Sequence, residues 1–143
     1  MATSPNESGH RLEPHPADVV LCAWSPTEAG CLAQAVQGLT ASFAQTAGCP
    51  PAGTRVLRVR ATTAPERLVG VLEEVLFLLD TEGVVPVAAR FEPVTGPEVR
   101  GEVTVAALSA TVPAGPAPKG IAWHGLRQDR AGGQWQCRVV VDV

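Results

Sequence analysis

Residues 18–28 read D-V-V-L-C-A-W-S-P-T-E, and this stretch predicts the first two elements of the fold. The apolar run over 18–24 is too short for a typical helix, and its valines and tryptophan favour a buried β-strand. Ser25 and Glu28 then have the spacing of a capping box, and Pro26 suits the first position of a helix. The stretch therefore predicts a strand that leads directly into a helix.

The first predicted helix continues through apolar residues at helical spacing, which are Leu32, Ala35, Val36, Leu39 and Phe43. Glycine and proline in G-C-P-P at 48–51 end this helix. The next segment, R-V-L-R-V-R at 55–60, alternates charged and apolar side chains. That alternation is typical of a half-exposed strand.

A second helix is predicted from Thr63 to about Thr81. The segment T-A-P-E at 63–66 repeats the helix-start signal, and Glu82 with Gly83 ends the helix. Its faces are nearly all apolar, with Leu68, Val69, Leu72, Val75, Leu76 and Leu79. Such a helix is expected at the centre of the core.

The remainder of the chain predicts four strands, at 84–91, 99–112, 120–128 and 134–143. The order β-α-β-α-β-β-β-β predicts an α+β fold of two layers, with both helices packed on one face of a mixed β-sheet. Residues 1–9 are small and polar, so we expect a flexible N-terminal lead-in there. A single domain is then expected over 10–143.

Composition supports one hydrophobic core and narrows the function classes. The chain has 143 residues, of which 45% are hydrophobic and 17% are charged. Its net charge of −3 argues against a protein that coats nucleic acid phosphates, although a local basic patch stays open. The N-terminus has neither the basic nor the apolar region of a secretory signal, so we expect a soluble, cytoplasmic protein.

The four cysteines lack the spacing of a zinc site or a C-x-x-C motif. Reduced and mostly buried thiols are therefore expected at Cys22, Cys31, Cys49 and Cys137. The chain also lacks phosphate-binding glycine loops and the nucleophile elbow of hydrolases.

Three features could carry chemistry. Asp18 begins the first strand after His15-Pro-Ala, where a carboxylate serves either as a metal ligand or as a turn-forming side chain. Asp142 lies near the end of a wholly apolar strand and needs a partner or a cation if it is buried, or else it is solvated. Lys119 begins a strand with no other charge before Arg127, and in the second helix Glu74 is the acidic residue that could point toward the sheet.

These features belong to a series of short motifs that keep one order along the chain. The series comprises H-P-A-D at 15–18, L-E-E-V-L-F-L at 72–78, V-R-G-E at 99–102, K-G-I-A-W-H at 119–124 and V-V-D-V at 140–143. It resembles the H-T-A-D, L-N-E-L-L-Y-L, A-x-G-E, I-K-A-V-T-Y-H and V-L-D-I motifs of the archease family. The resemblance runs from about His10 to the last residue.

The resemblance implies a non-catalytic accessory factor of the RtcB-type RNA ligase, which acts in tRNA splicing and RNA repair. Such a factor promotes guanylylation of the ligase and permits multiple turnover. Neither a membrane nor sequence-specific binding to nucleic acid is expected.

The resemblance also implies a site. It assigns a divalent cation, Ca²⁺ first with Mg²⁺ or Mn²⁺ as alternatives, to Asp18, Asp142 and the carbonyl of Val143. The functional lysine of the family falls on Lys119. His15 and Glu74 are the other residues that we assign to activation of the partner.

The chain departs from the family pattern at three places. Pro16 replaces the threonine of the first motif, and Glu73 replaces the asparagine of the helix motif. The family's first helix often ends with an acidic residue near the metal, whereas S-F-A-Q-T at 42–46 has none. Two other function classes are a small metal-dependent hydrolase that uses His15, Asp18 and Asp142, and a metal-free, chaperone-like protein-binding module.

Overall fold

The computed structural model describes residues 6–14 and 18–143, which form nine strands and two helices. The strands are β1 (Gly9–Pro14), β2 (Asp18–Ser25), β3 (Ala44–Gln45), β4 (Thr54–Arg60), β5 (Val84–Phe91), β6 (Glu98–Ala107), β7 (Val112–Pro113), β8 (Gly120–Ala131) and β9 (Gln134–Asp142). The helices are α1 (Glu28–Ala41), between β2 and β3, and α2 (Ala64–Glu82), between β4 and β5. In this part of the chain no helix is long and apolar enough to cross a membrane.

The strands form a four-stranded sheet in the order β1-β2-β9-β8, a three-stranded sheet in the order β4-β6-β5, and a small β3-β7 pair. The α+β class with two helices against sheet is confirmed. The grouping differs from a single mixed sheet, since the described strands pair antiparallel throughout. The chain runs from β2 through α1 and β3 into β4. Because β4 does not pair with β2, the two strands belong to separate sheets.

Both helices pack on one face of the four-stranded sheet. Leu21 and Ala23 of β2 and Val139 and Val141 of β9 belong to the same core as the apolar sides of α1 and α2. Because side chains alternate along a strand, the residues between them point to the opposite face. We call that opposite face, which carries Cys22 and Arg138, the outer face.

The first helix begins and ends differently from the sequence prediction. Its N-cap is Thr27, whose Oγ1 accepts a hydrogen bond from the Gly30 N–H at 3.0 Å. Ser25 is still part of β2, where its buried hydroxyl accepts a hydrogen bond from the Ser8 hydroxyl at 2.9 Å. The helix stops at Ala41 rather than near residue 48, because the chain turns there to bury Phe43 in a second, small apolar cluster.

The second helix follows the sequence prediction. Thr63 Oγ1 accepts a hydrogen bond from the Glu66 N–H at 3.3 Å, as a local capping signal requires. At the other end Gly83 has φ 65° and donates its N–H to the Leu79 carbonyl at 3.0 Å. The left-handed conformation at Gly83 is the reason that glycine ends this helix.

The strands differ from the sequence prediction in three places. Neither β3 nor β1, which pairs with β2 along its length, is predicted from the sequence patterns. The predicted strand over 99–112 is divided, because β6 ends at Ala107 and a 3₁₀ turn at Leu108–Ala110 precedes β7. The Leu108 N–H donates to the Gly83 carbonyl at 2.8 Å, which draws the chain away from the sheet at this point.

The four cysteines are free thiols, as expected. Cys31 and Cys137 are buried, whereas Cys22 and Cys49 are half-buried. The Cys31 Sγ lies 3.5 Å from Gln128 Oε1 and 3.7 Å from the Ala23 carbonyl. Ala23 and Gln128 are the register partners of Cys137 on its two sides. Cys31 of α1 therefore lies over the centre of the four-stranded sheet.

Candidate functional site at the ends of β2 and β9

Asp18 and Asp142 lie directly opposite each other at one corner of the four-stranded sheet. Asp18 is the first residue of β2 and Asp142 the last residue of β9, and the two are register partners in the antiparallel pair. Val19 and Val141 pack toward the core, so both aspartates belong to the outer face. Opposite residues in such a pair lie about 4.5–5.5 Å apart, which brings the two carboxylates together.

The start of β8 completes this corner. The Lys119 N–H donates a hydrogen bond to the Asp142 carbonyl at 2.7 Å, and Gly120 is the register partner of Asp142. A Cβ at position 120 would lie 3.9 Å from Asp142 Oδ2, so glycine leaves the space beside that carboxylate open. The Lys119 side chain is exposed. Three strands thus bring two carboxylates and a lysine to one exposed corner, which we call the acidic corner.

The other predicted site residues have different positions. Val143 follows Asp142, and its half-buried side chain packs against the core while its main chain stays at the corner. Glu74 is half-buried in the middle of α2. Among the described residues, its carboxylate has no contact with Asp18 or Asp142. His15 lies outside the described residues.

The donors at the acidic corner fit a hard divalent cation. Two carboxylates with neighbouring main-chain oxygens are the ligands that Ca²⁺, Mg²⁺ and Mn²⁺ prefer. Among the described residues no group of three His, Cys, Asp or Glu side chains could hold a metal ion.

The strand that begins at this corner carries a bulge of three extra residues, which the sequence patterns do not predict. Between register-paired positions, β8 advances from Ala122 to Arg127 while β9 moves only from Val140 to Arg138. The extra residues include Trp123, which is 56% exposed, and the exposed His124. Gly125, with φ 73°, is the local signal for this bulge.

The chain matches known proteins over nearly its whole length. The model of the Archease protein family matches residues 10–143. Two curated proteins from Mycobacterium tuberculosis, of strains CDC 1551 / Oshkosh and ATCC 25618 / H37Rv, are named "Probable protein archease". Each is 41% identical to this chain over 138 residues, which are 95% of this chain and 75% of the relative.

Two solved structures have the same fold at low sequence identity. The solution structure of Methanobacterium thermoautotrophicum protein 1598 has a TM-score of 0.73 and 17% identity, and the match covers 94% of this chain and 99% of that one. A crystal structure from Thermotoga maritima, described as an archease and possible chaperone, has a TM-score of 0.65 and 16% identity, covering 92% and 96%. The family model and the two mycobacterial relatives together establish that this chain belongs to the archease family.

Proposed function

We propose that this protein is a cytoplasmic, non-catalytic activator of an RtcB-type RNA ligase in tRNA splicing and RNA repair. In this role it promotes guanylylation of the ligase and so permits repeated turnover. Membership of the archease family supports the accessory role. The observation that carries the proposal is the register pair of Asp18 and Asp142, since it joins two motifs from opposite ends of the chain in one exposed corner.

A divalent cation belongs to this proposal, held by Asp18, Asp142 and the main-chain oxygen of Val143. When bound, it supplies positive charge that attracts an anionic group of the partner or of its nucleotide. The β2–β9 ladder fixes the main chain beneath the two carboxylates, so no backbone movement is needed to bring them together. Lys119 adds a further positive charge at the same corner, suited to a phosphate.

Exposure is also consistent with an activator. Asp142 and Lys119 lie at the surface, at the end of a sheet, where a partner can reach them without the fold opening. An enzyme usually builds its chemistry in a concave and largely apolar pocket. We therefore assign the reaction to the ligase, and to this chain the task of presenting charge to the ligase.

The experiment that tests this proposal is ligation by the cognate ligase with GTP and Mn²⁺, with and without the protein. Multiple turnovers are expected only in its presence. Asp142→Asn should reduce them by about tenfold or more, because loss of a group that merely supports a metal ligand already costs about 10–100-fold in affinity or activity. Asp80→Asn, which makes the same charge change at an exposed position on α2, is the matched control and should retain full activation. Full activation by Asp142→Asn would contradict the proposal.

A metal-free, chaperone-like binding module is the second candidate. It is favoured by the two-carboxylate donor set, which is small for a metal site within the described residues. It is also consistent with the description of the Thermotoga maritima protein as a possible chaperone. Under this reading the protein would stabilise a partner equally well with Asp142→Asn and in the presence of a chelator. Loss of partner stabilisation in either test would exclude it.

A further inference from the structure

A groove crosses the outer face of the four-stranded sheet, away from the acidic corner. Its volume is about 260 Å³, and we call it the arginine groove. The residues that matter for its chemistry are Arg11, Cys22, Trp24, Arg127, Gln134 and Arg138. These side chains come from all four strands of the sheet.

Three arginines and one cysteine form a single row across the sheet. Arg11 of β1 pairs in register with Cys22 of β2, Cys22 pairs with Arg138 of β9, and Arg138 pairs with Arg127 of β8. Neighbouring strands are about 4.8 Å apart, so Arg138 and Arg127 can contact the same small anion, whereas Arg11 lies two strands away from Arg138. Like charges at directly opposite positions destabilise a sheet, and Arg127 with Arg138 is such a pair.

Arg138 lacks the counter-charge that its neighbours have. Arg11 lies 3.1 Å from the Glu13 carboxylate and Arg127 lies 3.2 Å from the Asp129 carboxylate. Arg138 donates only to the Gly125 carbonyl, at a long 3.4 Å, and the residues described include no carboxylate within 4.0 Å of it. A half-buried guanidinium at the centre of a basic row is well suited to bind a phosphate.

A buried acceptor in the same groove also lacks a partner. Gln134 is 6% exposed, and its Oε1 has no hydrogen-bond donor among the described residues. Leaving such a group unpaired costs about 1–3 kcal/mol. Gln134 lines the groove, so a ligand that brings an N–H or O–H there would satisfy this oxygen.

Trp24 supplies an apolar surface next to these polar groups. Its indole lies over Gly9 of the neighbouring strand, where a Cβ would come within 2.6 Å of the ring. Glycine at position 9 therefore lets the ring lie flat against the sheet. Flat aromatic rings and guanidinium groups are the surfaces on which nucleobases stack.

We propose that the arginine groove binds one ribonucleoside monophosphate group, either as a free nucleotide or at the phosphorylated end of an RNA chain. The phosphate lies on Arg138 between Arg127 and Arg11, and a hydroxyl or amino group of the nucleoside donates to Gln134 Oε1. The groove volume of about 260 Å³ lies just below the range of small-molecule sites, which is about 300–1,000 Å³, so one nucleotide is the largest ligand that we expect it to hold. This site does not depend on ligase activation, because it uses none of the residues of the acidic corner.

The test measures binding by calorimetry and by amide shifts in NMR spectra of the full chain. The probes are the four ribonucleoside monophosphates, inorganic phosphate and a 5′-phosphorylated RNA trinucleotide. Saturable binding of a mononucleotide or the phosphorylated trinucleotide is expected, with shifts at Cys22 and Arg138. Stronger binding of the mononucleotide identifies a free nucleotide as the ligand, and stronger binding of the trinucleotide identifies an RNA end.

Variants separate the parts of the site. Arg138→Gln should weaken nucleotide binding by about tenfold, the loss of one charge-assisted contact. Arg127→Gln should weaken it by a smaller factor. The Arg127 side chain is 62% exposed, so this substitution changes no buried contact that the fold needs. Gln134→Met should weaken nucleotide binding and leave the binding of inorganic phosphate unchanged. Arg100→Gln, at an exposed position of the other sheet, is the control and should change nothing.

Three results would overturn the proposal. The first is no saturable binding of any nucleotide or of the trinucleotide at millimolar concentration. The second is nucleotide binding that Arg138→Gln and Arg127→Gln both leave unchanged. The third is inorganic phosphate that binds as tightly as every nucleotide, because the nucleoside would then contribute nothing.

Discussion

Glu28 and Arg67 join the first turns of the two helices through a buried ion pair. The guanidinium of Arg67 donates to both carboxylate oxygens of Glu28, at 2.8 and 3.1 Å. The two side chains are only 7% and 12% exposed. Sequence spacing identified Glu28 as a capping residue and could not reveal its partner, because the contact depends on how the helices pack.

Arg67→Met should lower the free energy of unfolding by about 3–5 kcal/mol, since it leaves the Glu28 carboxylate buried without a counter-charge. The double variant Glu28→Met with Arg67→Met should recover part of this loss, because it removes both charges. Urea denaturation at pH 7 measures both. If the stability lost in the double variant equalled the sum of the losses in Arg67→Met and Glu28→Met alone, the two side chains would not be coupled.

Cys31 makes stability dependent on alkaline pH. The neighbouring Cys137 thiol, together with burial, raises the pKa of the Cys31 thiol in the folded protein. An unfolded cysteine ionises near pH 8.5, so above that pH the unfolded chain binds fewer protons than the folded one. The contribution of the Cys31 thiol to the free energy of unfolding is therefore fully present below about pH 8.5. It falls as the pH rises above that value, by about 1.4 kcal/mol per pH unit.

Urea unfolding between pH 7 and pH 10 tests this dependence, and Cys31→Ala should flatten the alkaline slope. The variant is compared by its slope and not by its absolute stability, since removing a buried side chain lowers stability at every pH. An unchanged slope in Cys31→Ala would contradict the assignment.

The ends of the secondary-structure elements could be predicted where the signal is local. Both ends of α2 were foreseen, because Thr63 caps it with its own side chain and Gly83 ends it with its own backbone. The start of α1 was misplaced by two positions, since Ser25 and Thr27 are both good capping residues. Only the pairing of β2 with β9 decides that Ser25 stays in the strand.

Gly83→Ala should lower the free energy of unfolding by about 1 kcal/mol, because an L-residue is strained at φ 65°. Space is not the cause, since a Cβ at Gly83 would meet nothing within 4 Å. Gly96 has the same open surroundings without a positive φ, so Gly96→Ala is the matched control and should not destabilise. Thermal unfolding of both variants makes the comparison, and equal losses would refute the backbone explanation.

At the scale of the whole molecule, the fold class follows from the sequence but the sheet grouping does not. Alternation of side chains predicted most strands, whereas their partners depend on contacts between distant segments. The same limit applies to sites. Asp18 and Asp142 were singled out through their motifs, and the register of β2 with β9 brings them together. The row of Arg11, Arg138 and Arg127 has no motif, because it exists only across four paired strands.

Divalent cations should raise the melting temperature of the whole protein if the acidic corner binds them, since a ligand of the folded state alone stabilises it. At ten times the dissociation constant the gain is about 1.4 kcal/mol. Differential scanning calorimetry with Ca²⁺, Mg²⁺ and Mn²⁺ measures it. Asp142→Asn should remove the gain and Asp80→Asn should keep it, whereas a gain that survives Asp142→Asn would place the cation elsewhere.

The acidic corner and the arginine groove share the outer face of one sheet. Asp142 and Arg138 are four residues apart on β9, a separation of about 13 Å, and Val140 lies between them. This surface is therefore polarised, with negative charge at one end and positive charge at the other. The electric field of such a surface orients a charged partner before contact, so the face should steer the partner as well as bind it.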